Sequence, residues 1–142
     1  MISLETARAL KEAGLNWIPA NYDFFAIPDR GFDDQVFVIS NMTIQLRDLA
    51  GRLAVTFEGA VEWALDHIMV AELIWLPSEA QLRGELEERL GEPSLRLISL
   101  PAGYRCEIEF QGRPLGFEAT TAEETYAAAL LYVLKRQPRS TF

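Results

Sequence analysis

Along the chain, apolar positions recur with two different periods, and the change from one to the other marks the elements. From Ser3 to about Ala13, Leu4, Ala7, Leu10 and Lys11 fall on one stripe, with Ser3 placed to cap and Gly14 placed to stop, which predicts a surface helix with one buried face. Asn16-Trp17-Ile18-Pro19 and Tyr22 to Ile27 are rich in aromatic and branched residues and read as strands, the second closed by Pro28. A turn-forming stretch from Pro28 to Gln35 then leads to the apolar run Val36 to Ile39, so the two runs predict a hairpin with a long loop. Met42 to Ala50 is expected to form a short helix ended by Gly51, and Leu53 to Phe57 a strand. Val61, Ala64, Leu65 and Ile68 fall at helical spacing, predicting a helix over Ala60 to His67, with a strand from Ala71 to Leu76.

The second half is plainer. Ser78-Glu79-Ala80-Gln81 is a capping box opening a helix with Leu82, Leu86 and Leu90 on one stripe, stopped by Gly91. Leu95 to Leu100, Tyr104 to Phe110 and Leu115 to Ala119, separated by Pro101-Ala102-Gly103 and Gln111-Gly112-Arg113-Pro114, read as a three-stranded meander. Within it Arg105, Glu107 and Glu109 alternate with Cys106, Ile108 and Phe110, which leaves one face in water. Thr121-Ala122-Glu123-Glu124 is a second capping box, and the Ala- and Leu-rich helix it opens runs to about Arg136. That helix is apolar almost all round from Ala122 to Leu134, so it requires either deep burial or a second subunit.

The expected fold class is α+β: an N-terminal helix and strands, then an αβββα unit over 78–137. The chain's 142 residues suit a single domain over 1–142, with a seam near Pro77-Ser78 dividing an N-terminal α/β half from the αβββα half. Composition agrees, because 49% hydrophobic and 24% charged residues are an ordinary globular balance that needs no disulfide or structural metal. No cofactor is expected.

Charge narrows the partners. The net charge of −8 repels phosphate backbones and anionic headgroups, which disfavours nucleic acid and membrane. The acidity is concentrated early: residues 1–77 hold 11 acidic and 5 basic side chains, residues 78–142 hold 10 and 8. The most apolar stretch, Ala60 to Leu76, has 13 apolar residues in 17, but it is interrupted by Glu62, Asp66, His67 and Glu72 and is short for a bilayer span. The N-terminus has neither a basic nor an apolar leader region, so the expected location is the cytoplasm.

Candidate chemistry is sparse. Asp29, Asp33 and Asp34 share a loop that could offer oxygen ligands to a hard cation, although Asp-rich turns are common without one. Glu62, Asp66 and His67 join the only histidine to two carboxylates, and on a helix Glu62 and Asp66 would meet at i, i+4 while His67 diverges. Asp33, Asp34, Glu62, Asp66 and His67 are thus weak metal candidates, and no metal site or catalytic residue is assigned. There is no Gly-x-Ser-x-Gly elbow and no phosphate-cradling glycine loop. Cys106 reads as a small core hydrophobe. Trp17, Tyr22, Phe24, Phe25, Trp63 and Trp75 form a heavy aromatic load that could line a partner- or ligand-binding face, and a strand must send Phe24 and Phe25 to opposite sides.

Two resemblances bear on these residues. The order helix, three strands, helix from Ser78 to Gln137 is similar to the double-stranded RNA-binding domain, which would imply duplex binding through basic residues at the start of the last helix, where this chain has Glu123 and Glu124. Over nearly the whole chain, Tyr22-Asp23-Phe24-Phe25-Ala26-Ile27-Pro28-Asp29, Glu62-Trp63-Ala64-Leu65-Asp66 and Ile74-Trp75-Leu76-Pro77-Ser78-Glu79-Ala80-Gln81-Leu82 look like a family of small uncharacterised bacterial proteins, more loosely shared by phage-encoded ones. Some relatives carry the label of a pilus-assembly protein, and the resemblance implies no catalytic residues. The expected function is a non-enzymatic binding or interaction module that forms a homo-oligomer or takes an unknown protein partner. The alternatives are a small metal-dependent or acid-base enzyme using Glu62, Asp66 and His67, and a nucleic-acid-binding module.

Overall fold

A computed structural model describes residues 1–32, 35–40, 44–57, 67–91 and 94–137. The fold is mixed α+β, with antiparallel sheets and three α-helices among the described residues. In chain order these are α1 (Leu4–Glu12), β1 (Phe24–Ala26), β2 (Phe37–Val38), β3 (Ile44–Leu49), β4 (Arg52–Phe57), β5 (His67–Met69), a 3₁₀ turn (Val70–Glu72), β6 (Ile74–Leu76), α2 (Glu79–Leu90), β7 (Leu95–Leu100), β8 (Gly103–Phe110), β9 (Arg113–Ala119) and α3 (Ala122–Arg136). They fall into two compact units, one of Met1–Leu15 with Pro77–Phe142 and one of Asn16–Leu76. A boundary therefore lies at Leu76-Pro77, and the first helix belongs with the C-terminal residues.

In the unit of Met1–Leu15 and Pro77–Phe142, local signals set the helix ends. The Ser3 hydroxyl accepts from the Thr6 amide and Gly14 takes φ 102 after α1. Ser78 and Gln81 cap α2 reciprocally, with the Ser78 amide donating to Gln81 Oε1 at 2.9 Å. The three strands form one sheet in the order β7-β8-β9. Cys106, Ile108 and Phe110 are buried on the face that α3 covers, where Tyr132 meets the rings of Phe110 and Phe117 at 6.3 and 5.5 Å. α1 and α2 both pack against α3, whose Tyr126, Ala127, Ala129, Leu130 and Val133 are buried. The apolar helix is thus buried within its own unit.

On the opposite face the alternating residues are charged. Arg105 bridges Glu107 at 3.3 Å and Glu118 at 3.5 Å, and Arg96 reaches Glu107 at 3.8 Å. The Arg105 guanidinium occupies the space in which a side chain at Gly116 would stand. A different obstacle meets Gly103, where a Cβ would collide with the backbone carbonyl of Ala119.

The unit of Asn16–Leu76 holds two three-stranded sheets, β2-β1-β6 and β3-β4-β5. Phe25, Ile27, Ile39, Ile44, Val55, Ile68 and Leu73 form its core, with Trp17, Phe32, Phe37, Leu46 and Val70 packed against it. Four sequence expectations are corrected here. Of the helix expected over Met42 to Ala50, Met42 and Thr43 lie outside the described residues and Ile44–Leu49 is instead strand β3, paired antiparallel with β4 from Ile44↔Phe57 to Leu49↔Arg52, because Ala50-Gly51 forms a tight reversal with φ 55 and 86. Asn16 to Pro19 is not a strand, and the expected strand from Ala71 is shortened to Ile74–Leu76 behind the 3₁₀ turn. His67 lies in a strand rather than a helix, its backbone opposite Thr56, while 60–66 fall outside the described residues.

Candidate functional site

The aromatic residues of Asn16–Leu76 divide into a packed set and an exposed set. Trp17 stacks on Trp75 with ring centroids 6.2 Å apart and planes 6° apart, and lies 6.0 Å from Phe25, which in turn stacks on Phe37 at 5.7 Å. Phe25 is completely buried. Its neighbour Phe24 points to the other side of β1, as strand alternation demands, and remains 39% exposed.

A buried carboxylate organises the approach to β1. Asp23 Oδ2 accepts from Trp17 Nε1 at 2.9 Å and from the Ala20 amide at 3.0 Å. The Asp23 carbonyl accepts from the Ile39 amide at 3.0 Å, and the Ile39 carbonyl from the Tyr22 amide at 2.8 Å. This clamp holds Tyr22 at φ 73, a left-handed conformation costly for a residue with a bulky side chain, and leaves its ring 78% exposed. Ile18 is 81% exposed, and Val36, two residues before the Val38 that pairs with Phe24, is 49% exposed. Ile18, Tyr22, Phe24 and Val36 therefore leave large apolar side chains in water on the segments at and next to β1 and β2.

Of the six aromatic residues expected at a binding face, Tyr22 and Phe24 are on the surface, Trp17, Phe25 and Trp75 pack with one another, and Trp63 lies outside the described residues. Asp33, Asp34, Glu62 and Asp66 also lie outside them, and His67 stands in β5. Asp29, at φ 62, is on the surface. Sequence reasoning missed Ile18, Val36 and the Asp23 clamp. The Trp17-to-Asp23 spacing forms no motif, and the exposure of Ile18 and Val36 depends on packing that no local pattern encodes.

Two further features complete the chemistry. The Cys106 thiol is pushed up to about 11 by burial and, secondarily, by the charge of Glu107, so it stays protonated at neutral pH and is a poor nucleophile. A cavity of about 550 Å³ opens where the β7–β8 turn meets the end of β9, between Leu100, Tyr104, Glu118 and Thr120. Its charged wall, Glu118, is already engaged by Arg105.

Comparison with known proteins returns no match: no family model, no curated protein and no solved structure is significantly similar to this chain.

Proposed function

We propose that the protein is a non-enzymatic binding module whose partner-binding surface is centred on Tyr22 and Phe24, and that it self-associates in the cytoplasm. The observation that carries this is exposed Tyr22, held at φ 73 by a buried hydrogen-bonded clamp two residues before exposed Phe24. Strained backbone that presents an aromatic side chain to solvent has the character of a recognition anchor, because rigid aromatics lose little entropy on docking. The family of small bacterial proteins that this chain resembles fits the same reading and supplies no competing chemistry.

Co-purification from the native host, with the recovered proteins identified by mass spectrometry, tests it. A partner recovered with the wild type and lost with Tyr22→Ser/Phe24→Ser, under an unchanged circular dichroism spectrum, supports the surface. Equal recovery with both proteins, or none with either, overturns it.

In this reading Ser78 to Gln137 is an αβββα unit with the topology of a double-stranded RNA-binding domain, put to a different use. Glu123 and Glu124 stand where such a domain would place basic residues.

A further inference from the structure

The two edges of the β7-β8-β9 sheet differ in the backbone groups they present. In an antiparallel pair, hydrogen-bonded and non-hydrogen-bonded positions alternate. The Glu109 amide donates to the Ser94 carbonyl at 3.0 Å, and the register runs Leu95↔Ile108 to Leu100↔Gly103. Ser94, Arg96, Ile98 and Leu100 therefore direct their backbone groups at β8, and Leu95, Leu97 and Ser99 direct theirs outward. Among the described residues β7 pairs with β8 alone, so this edge offers three N–H donors and three carbonyl acceptors. Counted from the two-residue turn at Gln111-Gly112, the outward positions of β9 are Pro114, Gly116 and Glu118. Proline has no N–H to give, and an outward proline or charge is a usual guard of a sheet edge. The β9 edge is guarded in this way, whereas β7 has neither a proline nor an acidic residue.

We infer that the β7 edge is the self-association surface of this protein and that its occupant is β7 of a second copy, antiparallel and centred on Leu97. The inference rests on the reading that the chain self-associates and names the surface, which is separate from the Tyr22 face. The outward set is symmetric: a two-fold axis at Leu97 pairs Leu95 with Ser99 of the second copy, Leu97 with its own counterpart and Ser99 with Leu95, so all six outward groups of each strand are used at once. Other registers leave some of them unmatched.

Charge favours the same occupant. The chain carries −8, which would keep copies apart, yet from Ser94 to Cys106 there are two arginines and no acid. Two copies can meet along this stretch without opposing carboxylates. The one charge on β7, Arg96, would face Ile98 of the second copy and already has Glu107 beside it. The half-buried Leu95, Leu97, Ile98 and Leu100 supply apolar flanks to the new strand pair.

Amide hydrogen exchange on the full chain between roughly 10 μM and 1 mM, alongside sedimentation, tests the inference. The expected result is a concentration-dependent dimer in which the Leu95, Leu97 and Ser99 amides slow by about tenfold or more, while Arg96, Ile98 and Leu100 are protected throughout. Ser99→Pro deletes an outward donor at an exposed position and leaves the β7–β8 ladder its own bonds. Its expected effect is a loss of dimer with the Arg96 and Ile98 amides still protected. A dimer in which the Leu95, Leu97 and Ser99 amides still exchange fast would overturn the assignment to β7 while leaving self-association standing. A monomer at every concentration would overturn both.

Discussion

Cys106 sits between two influences that act in the same direction, its burial under the helices and the Glu107 carboxylate beside it. In the unfolded chain the thiol ionises near its ordinary 9.0, in the fold at about 11. Between these values the unfolded chain releases a proton that the native protein keeps, so stability falls as pH rises through that window and is unaffected below it. Cys106→Ala should remove this dependence. Denaturant midpoints at about pH 8 and pH 10.5 should show the wild type losing roughly 2 kcal/mol more than the variant. The identity of Cys106 as a core residue was readable from its alternation with Arg105 and Glu107. The part played by Asp23 was not, because its acceptor oxygen serves an indole and an amide whose approach depends on how residues 16–22 fold back.

Among the elements, legibility followed locality. Caps and stops at Ser3, Gly14, Ser78 and Gly91 act within one turn of helix and are found where the sequence places them. Thr121 does accept from the Glu124 amide, but the reciprocal half of that capping box is replaced: the Glu124 carboxylate turns to α1. One misread segment is β3, where Ile44-Gln45-Leu46-Arg47 already alternates with period two while Thr43 and Gly51 imitate a helix start and stop. What decides the matter is Ala50-Gly51, a two-residue reversal with both φ values positive, a form that favours Asn-Gly. Alanine at φ 55 carries strain that asparagine bears more easily. Ala50→Asn should therefore raise unfolding stability by about 0.5–1 kcal/mol, read as a higher urea midpoint with an unchanged slope.

For the molecule as a whole, one boundary between the two units falls at Leu76-Pro77, just before the capping box that opens α2, and no sequence signal assigns α1 to the C-terminal residues. Nothing near Ser3 announces a partner far along the chain. The tie is nevertheless specific: Glu124 Oε1 accepts from the Ser3 amide at 2.7 Å, and Oε2 from the Thr6 hydroxyl at 2.9 Å. Glu124 thus satisfies an N-terminal donor of α1 and sets a negative charge at the positive end of that helix. Glu124→Ala should cost about 1–2 kcal/mol by thermal unfolding and Glu124→Gln less, with exchange of the α1 amides accelerated in proportion.

That tie joins α1 to α3 across 121 residues of chain, from Ser3 to Glu124. Residues 16–76 are contiguous and can begin to assemble as soon as they emerge, whereas α1 must wait, its Ala7 and Leu10 stripe uncovered, until synthesis has passed Glu124. During synthesis the apolar stripe of α1 therefore stays uncovered while the residues between it and α3 are made. Chains that stop before α3 keep that stripe as a handle for chaperones and proteases.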